Sequence, residues 1–147
     1  MTKLKKILVA YDGSSHSKEA LNWAIDLSLL SGAEVAAVKV FELGVTLDAM
    51  GEADGTTFQE TLEAIRRNDR GLLDEAAATG QNRGVKVTGE ILEGNPAGEI
   101  ISYAKKNNFD LIIAGTKGHG ALDELLMGSV TRNLVSLAHV PVLVVKD

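Results

Sequence analysis

Five short apolar runs, each bounded by turn-forming or charged residues, constrain what this chain can fold into. They are "KKILVA" at 5–10, "EVAAVKVF" at 34–41, "VKVTGEIL" at 85–92, "DLIIAG" at 110–115 and "PVLVV" at 141–145. Runs of this length and branched composition are read as strands buried in a sheet. Helix-like stretches separate them, and a strand followed by a helix and a further strand builds a parallel sheet covered on both faces. The expected fold is therefore α/β, an open five-stranded parallel sheet with helices on both sides.

The connecting stretches carry their own punctuation. Ser14, Ser15 or Ser17 can cap a helix that runs to about Leu30 and closes at Gly32, with Leu21, Ala24, Ile25, Ser28 and Leu29 on one side. Phe58, Leu62, Ile65, Asp69, Leu72 and Ala76 step by three and four, which predicts a long helix with a weak point at Gly71. Asn95-Pro96 opens another helix, Asn as cap and Pro in the first turn, burying Ile100, Ile101 and Ala104. A last helix fits from about Ser129 to Ala138. Residues 42–57, with Gly44, Gly51 and Gly55, show no period and read as a long mobile loop. With 147 residues and no internal repeat, the whole of 1–147 is expected to form one domain.

Composition excludes several classes of function. Without cysteine the chain has neither disulfides nor cysteine-held metals, and a net charge of −5 argues against a general nucleic-acid or anionic-membrane surface. Arg66, Arg67 and Arg70 are interspersed with Glu60, Glu63, Asp69 and Asp74, the pattern of a solvated helix face. The apolar run after Lys3, Lys5 and Lys6 stops at Tyr11-Asp12, too short for a signal peptide or a membrane span. A cytoplasmic, soluble protein with neither nucleic acid nor membrane as partner is expected.

Glycine placement narrows the rest. The stretch "GTKGHGALDELLMGS" puts Gly115 and Gly118 directly after the fourth apolar run and Gly128 ahead of the last helix. Ligands of open parallel sheets bind beyond the carboxyl ends of the strands, where strand order reverses. An order of 3-2-1-4-5 would make the first and fourth strands neighbours, so that Tyr11-Asp12-Gly13-Ser14 faces the glycine segment. Gly128-Ser129-Val130-Thr131 then offers helix N-terminal N–H groups and two hydroxyls to an anion, although a plain cap reads equally well. A helix end contributes up to about 2 kcal/mol, whereas micromolar affinity needs about 8 kcal/mol. An anion site here therefore needs a base pocket as well; Asp12, Val40, Gly115 and Gly118 are the candidates. The chain has no G-x-x-x-x-G-K-[ST], and its G-x-x-G-x-G follows the fourth strand, which disfavours P-loop and dinucleotide-binding readings. A receiver domain would want an acidic cluster, and the third strand ends "ILEGN".

From "KILVAYDGSSHSKEAL" through "EGNPAGEII" to "LIIAGTKGHGALDELLMGSVTRNLVSLAHVPVLVVK", the chain resembles the universal stress protein family. Its Gly-x2-Gly-x9-Gly-Ser spacing, at Gly115, Gly118, Gly128 and Ser129, resembles the motif of that family's ATP-binding branch. The resemblance implies a Rossmann-like fold of the adenine nucleotide alpha hydrolase type. It also implies ATP as ligand, with magnesium entering beside it. Asp12 and the backbone near Ala10 and Val40 would hold adenine and ribose. Gly115 and Gly118 would lie along the ribose and first phosphate, and Gly128, Ser129, Val130 and Thr131 would bind the phosphates. A homodimer through the apolar run 140–145 is implied too, an unprotected sheet edge being prone to pairing. Many relatives carry Ser-His where this chain has Thr116-Lys117. Lys117 can reach a phosphate, but the plainer reading is a solvated lysine. His119 reads as exposed or structural, and His16 and His139 stand at no ligand spacing to it, so no side-chain metal site is expected.

The leading functional reading is a nucleotide-dependent sensor or switch in stress response, with an unidentified regulatory protein as partner. A slow ATPase or phosphotransfer enzyme is the second; Asp12 as magnesium partner and Arg132 as nearby charge can be named for it, but no base, Asp123 and Glu124 reading as solvated. A non-binding interaction module is the third.

Overall fold

The computed structural model describes residues 3–42, 44, 57–117 and 127–146. Along the chain run β1 (Lys6–Ala10), α1 (Ser15–Ser31), β2 (Glu34–Phe41), α2 (Phe58–Gln81), β3 (Val87–Glu93), α3 (Pro96–Lys106), β4 (Leu111–Gly115), α4 (Ser129–Leu137) and β5 (Val142–Val145). The strands form one sheet in the order β3-β2-β1-β4-β5, every neighbouring pair parallel. Ala10 of β1 is in register with Val38 of β2, and Val9 with Ile113 of β4. The order reverses between β1 and β4, as expected from the sequence.

Local chemistry sets the helix ends. The Ser14 hydroxyl accepts the Ser17 N–H at 3.2 Å, and Gly32 closes α1 at φ 78°, its N–H on Ser28 O at 2.8 Å. Thr57 caps α2 by accepting the Glu60 N–H at 3.2 Å. Asn95 caps α3 through the Gly98 N–H at 3.0 Å, with Pro96 in the first turn, where its missing N–H is harmless.

Two apolar clusters lie on opposite faces of the sheet. Ile7, Val9 and Ile113 meet Leu21 and Ile25 of α1 and Leu73 of α2. Leu8, Val38 and Ile112 meet Ile100 of α3, Phe109 and Leu134 of α4. Three expectations are corrected. Leu29 is 54% exposed, so the buried side of α1 ends at Ser28. The inner side of α2 is Leu62, Asp69, Leu73 and Ala76, while Phe58 is 41% exposed; Leu73 takes the inward place because Gly89 of β3 leaves room beneath it. α2 continues through Gly71, which has open space around it, so the weak point there is one of helix propensity and not a break. The third correction is the start of the third strand. β3 starts at Val87 rather than 85, because the Val85 N–H is still bonded to Gly80 O at the end of α2 (2.8 Å). Asp69 is buried beside Lys39 of β2, N···O 3.7 Å, so an acidic residue can keep the inner helical step. Most of the expected loop 42–57 lies outside the described residues. Among those residues, no helix is long and apolar enough to cross a membrane.

Candidate functional site

The carboxyl ends of β1 and β4 lie side by side where the strand order reverses, and both loops identified in the sequence start there. After β1, the Tyr11 N–H bonds to Val38 O at 2.9 Å and carries the sheet ladder one residue further. Asp12 then forms an Asx turn, its Oδ1 accepting the Ser14 N–H at 2.9 Å, while its own N–H donates to Ser17 Oγ at 3.3 Å. Gly13 holds the left-handed conformation at φ 82°, which favours glycine, and the end of the Leu72 side chain lies against the place where a Cβ would sit. The Tyr11 hydroxyl is pushed above its ordinary pKa by burial, then by the charges of Glu75 and Asp12.

Beyond β4 the chain is held at a single residue. The Thr116 N–H donates to Val145 O of β5 at 3.0 Å, and its carbonyl accepts the Gly128 N–H at 2.8 Å. Its hydroxyl lies 2.9 Å from His16 Nδ1 in the first turn of α1. None of these three partners is near it in sequence, and nothing local in the sequence marked His16. Gly115, the buried last residue of β4, faces the same turn: a Cβ there would lie 2.5 Å from His16 Cβ and 2.7 Å from its main-chain carbon. That close approach of helix to strand accounts for the glycine without any ligand.

Gly128 is the cap of α4, with no side-chain cap hydrogen bond. Its own N–H is committed to Thr116 O, so the donors left to an anion are the first-turn amides of Ser129, Val130 and Thr131. The Thr131 hydroxyl is 2.7 Å from Gly115 O and donates to it, which fixes the helix start against the end of β4. Ser129 is exposed, and its side chain stays at the rim. Val130 is half-buried and packs on the same apolar cluster as Ala10 and Val40. Ala10 and Val40, whose backbone the family resemblance places beside adenine and ribose, thus share a sheet face with the first turn of α4. Gly118, His119, Asp123 and Glu124 lie outside the described residues.

Lys117 corrects the expectation of a solvated side chain: it is only 8% exposed. It directly follows the pinned Thr116.

The profile of the universal stress protein family matches residues 3–146. The chain belongs to the universal stress protein family. Among curated relatives, universal stress protein MJ0531 of Methanocaldococcus jannaschii is 37% identical over 142 residues, 97% of this chain and 82% of its own length. The solved structure of MJ0577 from the same organism superposes with a TM-score of 0.84 at 28% identity, covering 99% of this chain and 98% of that one. Two further solved universal stress proteins are similar in fold. One, in complex with cAMP, has a TM-score of 0.70 at 19% identity, covering 98% of both chains. The other, from Archaeoglobus fulgidus in complex with dAMP, has a TM-score of 0.65 at 19% identity, covering 99% of this chain and 100% of that one.

Proposed function

We propose that this universal stress protein binds ATP at the junction of β1, β4 and α4 and acts as a nucleotide-dependent switch. One observation carries the reading: a helix start without a side-chain cap is clamped to the end of β4 at the reversal of strand order, by Gly128 N–H to Thr116 O and Thr131 hydroxyl to Gly115 O. Amides in the first turn of a helix so placed suit phosphate oxygens. Ala10 and Val40 offer apolar surface to adenine, and Asp12, oriented by its turn, offers an acceptor to ribose. The complexes of two fold neighbours with cAMP and dAMP support an adenine ligand. Magnesium takes oxygen ligands, commonly one or two carboxylates and the substrate's phosphates; the Asp12 carboxylate at the crevice fits that habit.

The switch reading needs an output surface. β5 is an edge strand of four apolar residues, three of them half-buried, and an open edge of that kind pairs with a second copy. Thr116 touches both ends of the proposed device, bonded to Val145 of β5 and to the cap of α4. The reading is tested by purifying the protein without added nucleotide, denaturing it and identifying what is released by mass spectrometry. ATP or its breakdown products at a stoichiometric yield are expected. Repeated absence of any adenine compound, with no heat on titrating ATP, would sink it.

A further inference from the structure

We infer that the flank of α1 carrying Trp23, Leu27 and Leu30 is a docking surface for the same flank of a second copy of this chain, the two joined across a two-fold axis at Leu143 of β5. The inference rests on the reading above that β5 pairs with a second copy. It adds the register of that pairing and the side chains that hold it.

His16, Ala20, Trp23, Leu27 and Leu30 follow one another at steps of four, three, four and three, so they line one side of α1. The first member fixes where that side faces. His16 Nδ1 is 2.9 Å from the Thr116 hydroxyl, and Thr116 donates its N–H to Val145 O of β5. The stripe therefore runs along the flank of α1 that borders β5, and Leu143 of β5 packs on the same apolar cluster as α1. Ala20 is buried and Leu27 half-buried, whereas Trp23 is 47% and Leu30 85% exposed. None of the five is Asp, Glu, Lys or Arg. Asp26 is paired with Arg83 just past α2, and Glu19 accepts the Asn22 amide at 3.4 Å. A two-fold contact sets a patch against itself, so a full charge in it would meet its own sign; an uncharged stripe suits it. A lipid surface is disfavoured, since helices seated on membranes border their apolar face with Lys and Arg, and the charges nearest this stripe are acidic.

The hydrogen bonds of the sheet set the register. Ile112 N–H donates to Pro141 O and Thr116 N–H to Val145 O, so Pro141, Leu143 and Val145 turn their main-chain groups toward β4. The residues between them turn theirs the other way, which leaves the N–H and C=O of Val142 and Val144 on the open edge. Antiparallel pairing centred on Leu143 sets Val142 against Val144 of the second copy and satisfies all of these groups. An axis at Val142 or Val144 instead engages only one of the two residues within the strand. So short a strand falls well below the buried area of a stable interface, about 800 Å² per partner. The α1 flank borders the same edge and supplies apolar area on that face of the joined sheets.

The test uses the chain's single tryptophan, Trp23, and its lack of cysteine. Sedimentation equilibrium of the wild type should give a dimer, and dilution below its dissociation constant should move Trp23 emission to the red. Trp23→Ser and Leu30→Ser should each weaken the dimer about ten- to hundredfold. Leu29→Ser, on the other flank of the same helix, should leave it unchanged. Under oxidation Leu143→Cys should give a disulfide-linked dimer, because facing residues at that point of an antiparallel pair stand about 4.5 Å apart at Cα. Val142→Cys and Val144→Cys should each stay unlinked. A dimer that Trp23→Ser leaves intact, or that links through Val142→Cys or Val144→Cys and not through Leu143→Cys, overturns this docking surface and leaves the pairing of β5 standing. A wild type that is monomeric at every concentration overturns the pairing itself. If the emission of that monomer moves to the blue on vesicles of phosphatidylcholine and phosphatidylglycerol, the stripe is a lipid surface and the inference is wrong.

Discussion

The hydroxyl of Thr131, in the first turn of α4, donates a 2.7 Å hydrogen bond to the main-chain carbonyl of Gly115, the last residue of β4. Both residues are buried. The bond closes a small frame with Gly128 N–H to Thr116 O, so the helix start and the strand end move as one piece. Thr131→Val keeps the shape and removes the donor, leaving a buried carbonyl without it. Urea denaturation should show a loss of about 1–3 kcal/mol, and calorimetry should show ATP weakened more than adenosine.

Two glycines should respond to alanine with opposite signs. Gly115→Ala drives a methyl group into the His16 main chain, so α1 must shift, at a cost of about 1–3 kcal/mol. Gly71→Ala adds a methyl group in open space in the middle of α2 and should stabilise by about 0.5–1 kcal/mol. Denaturant midpoints of the two variants measure both.

Lys39 and Asp69 form a pair whose acid is 3% exposed and whose Oδ2 has no hydrogen-bond partner among the described residues. Lys39→Met leaves that carboxylate alone and should destabilise by about 2 kcal/mol, less than for a fully buried pair because the lysine is partly solvated. Adding Asp69→Leu should recover most of the loss.

Tyr11 supplies a pH dependence. Burial, with Glu75 and Asp12 nearby, raises its pKa, so the folded state keeps the phenolic proton where the unfolded chain has released it. Its contribution is complete below the unfolded value of about 10 and is lost as pH rises through the folded value. Tyr11→Phe should therefore lose less stability than the wild type as pH rises above about 10, read as urea midpoints across that range.

The sheet was legible because period and punctuation agreed. Gly32, Asn95-Pro96 and the run Glu34–Phe41 each mark a boundary through backbone chemistry local to a few residues. The phase of α2 was not, since the choice of Leu73 over Leu72 depends on the space above Gly89, a residue on another strand. The site divides the same way. Gly128 and the helix start after it could be read from sequence. The meeting of His16 with Thr116 joins residues a hundred positions apart, which no local signal in the sequence marks. Gly115 shows the hazard: a motif glycine suited to a ligand is already required by the closeness of α1.

The central claim is that main-chain amides at the start of α4 hold the phosphates of an adenine nucleotide. Amide proton–nitrogen spectra recorded during separate titrations with ATP and adenosine test it most directly. ATP should shift Ser129, Val130 and Thr131 strongly, whereas adenosine should move the neighbourhood of Ala10 and Val40 and leave those three amides in place. Saturating ATP that leaves the three amides unmoved while perturbing another part of the chain would contradict the account.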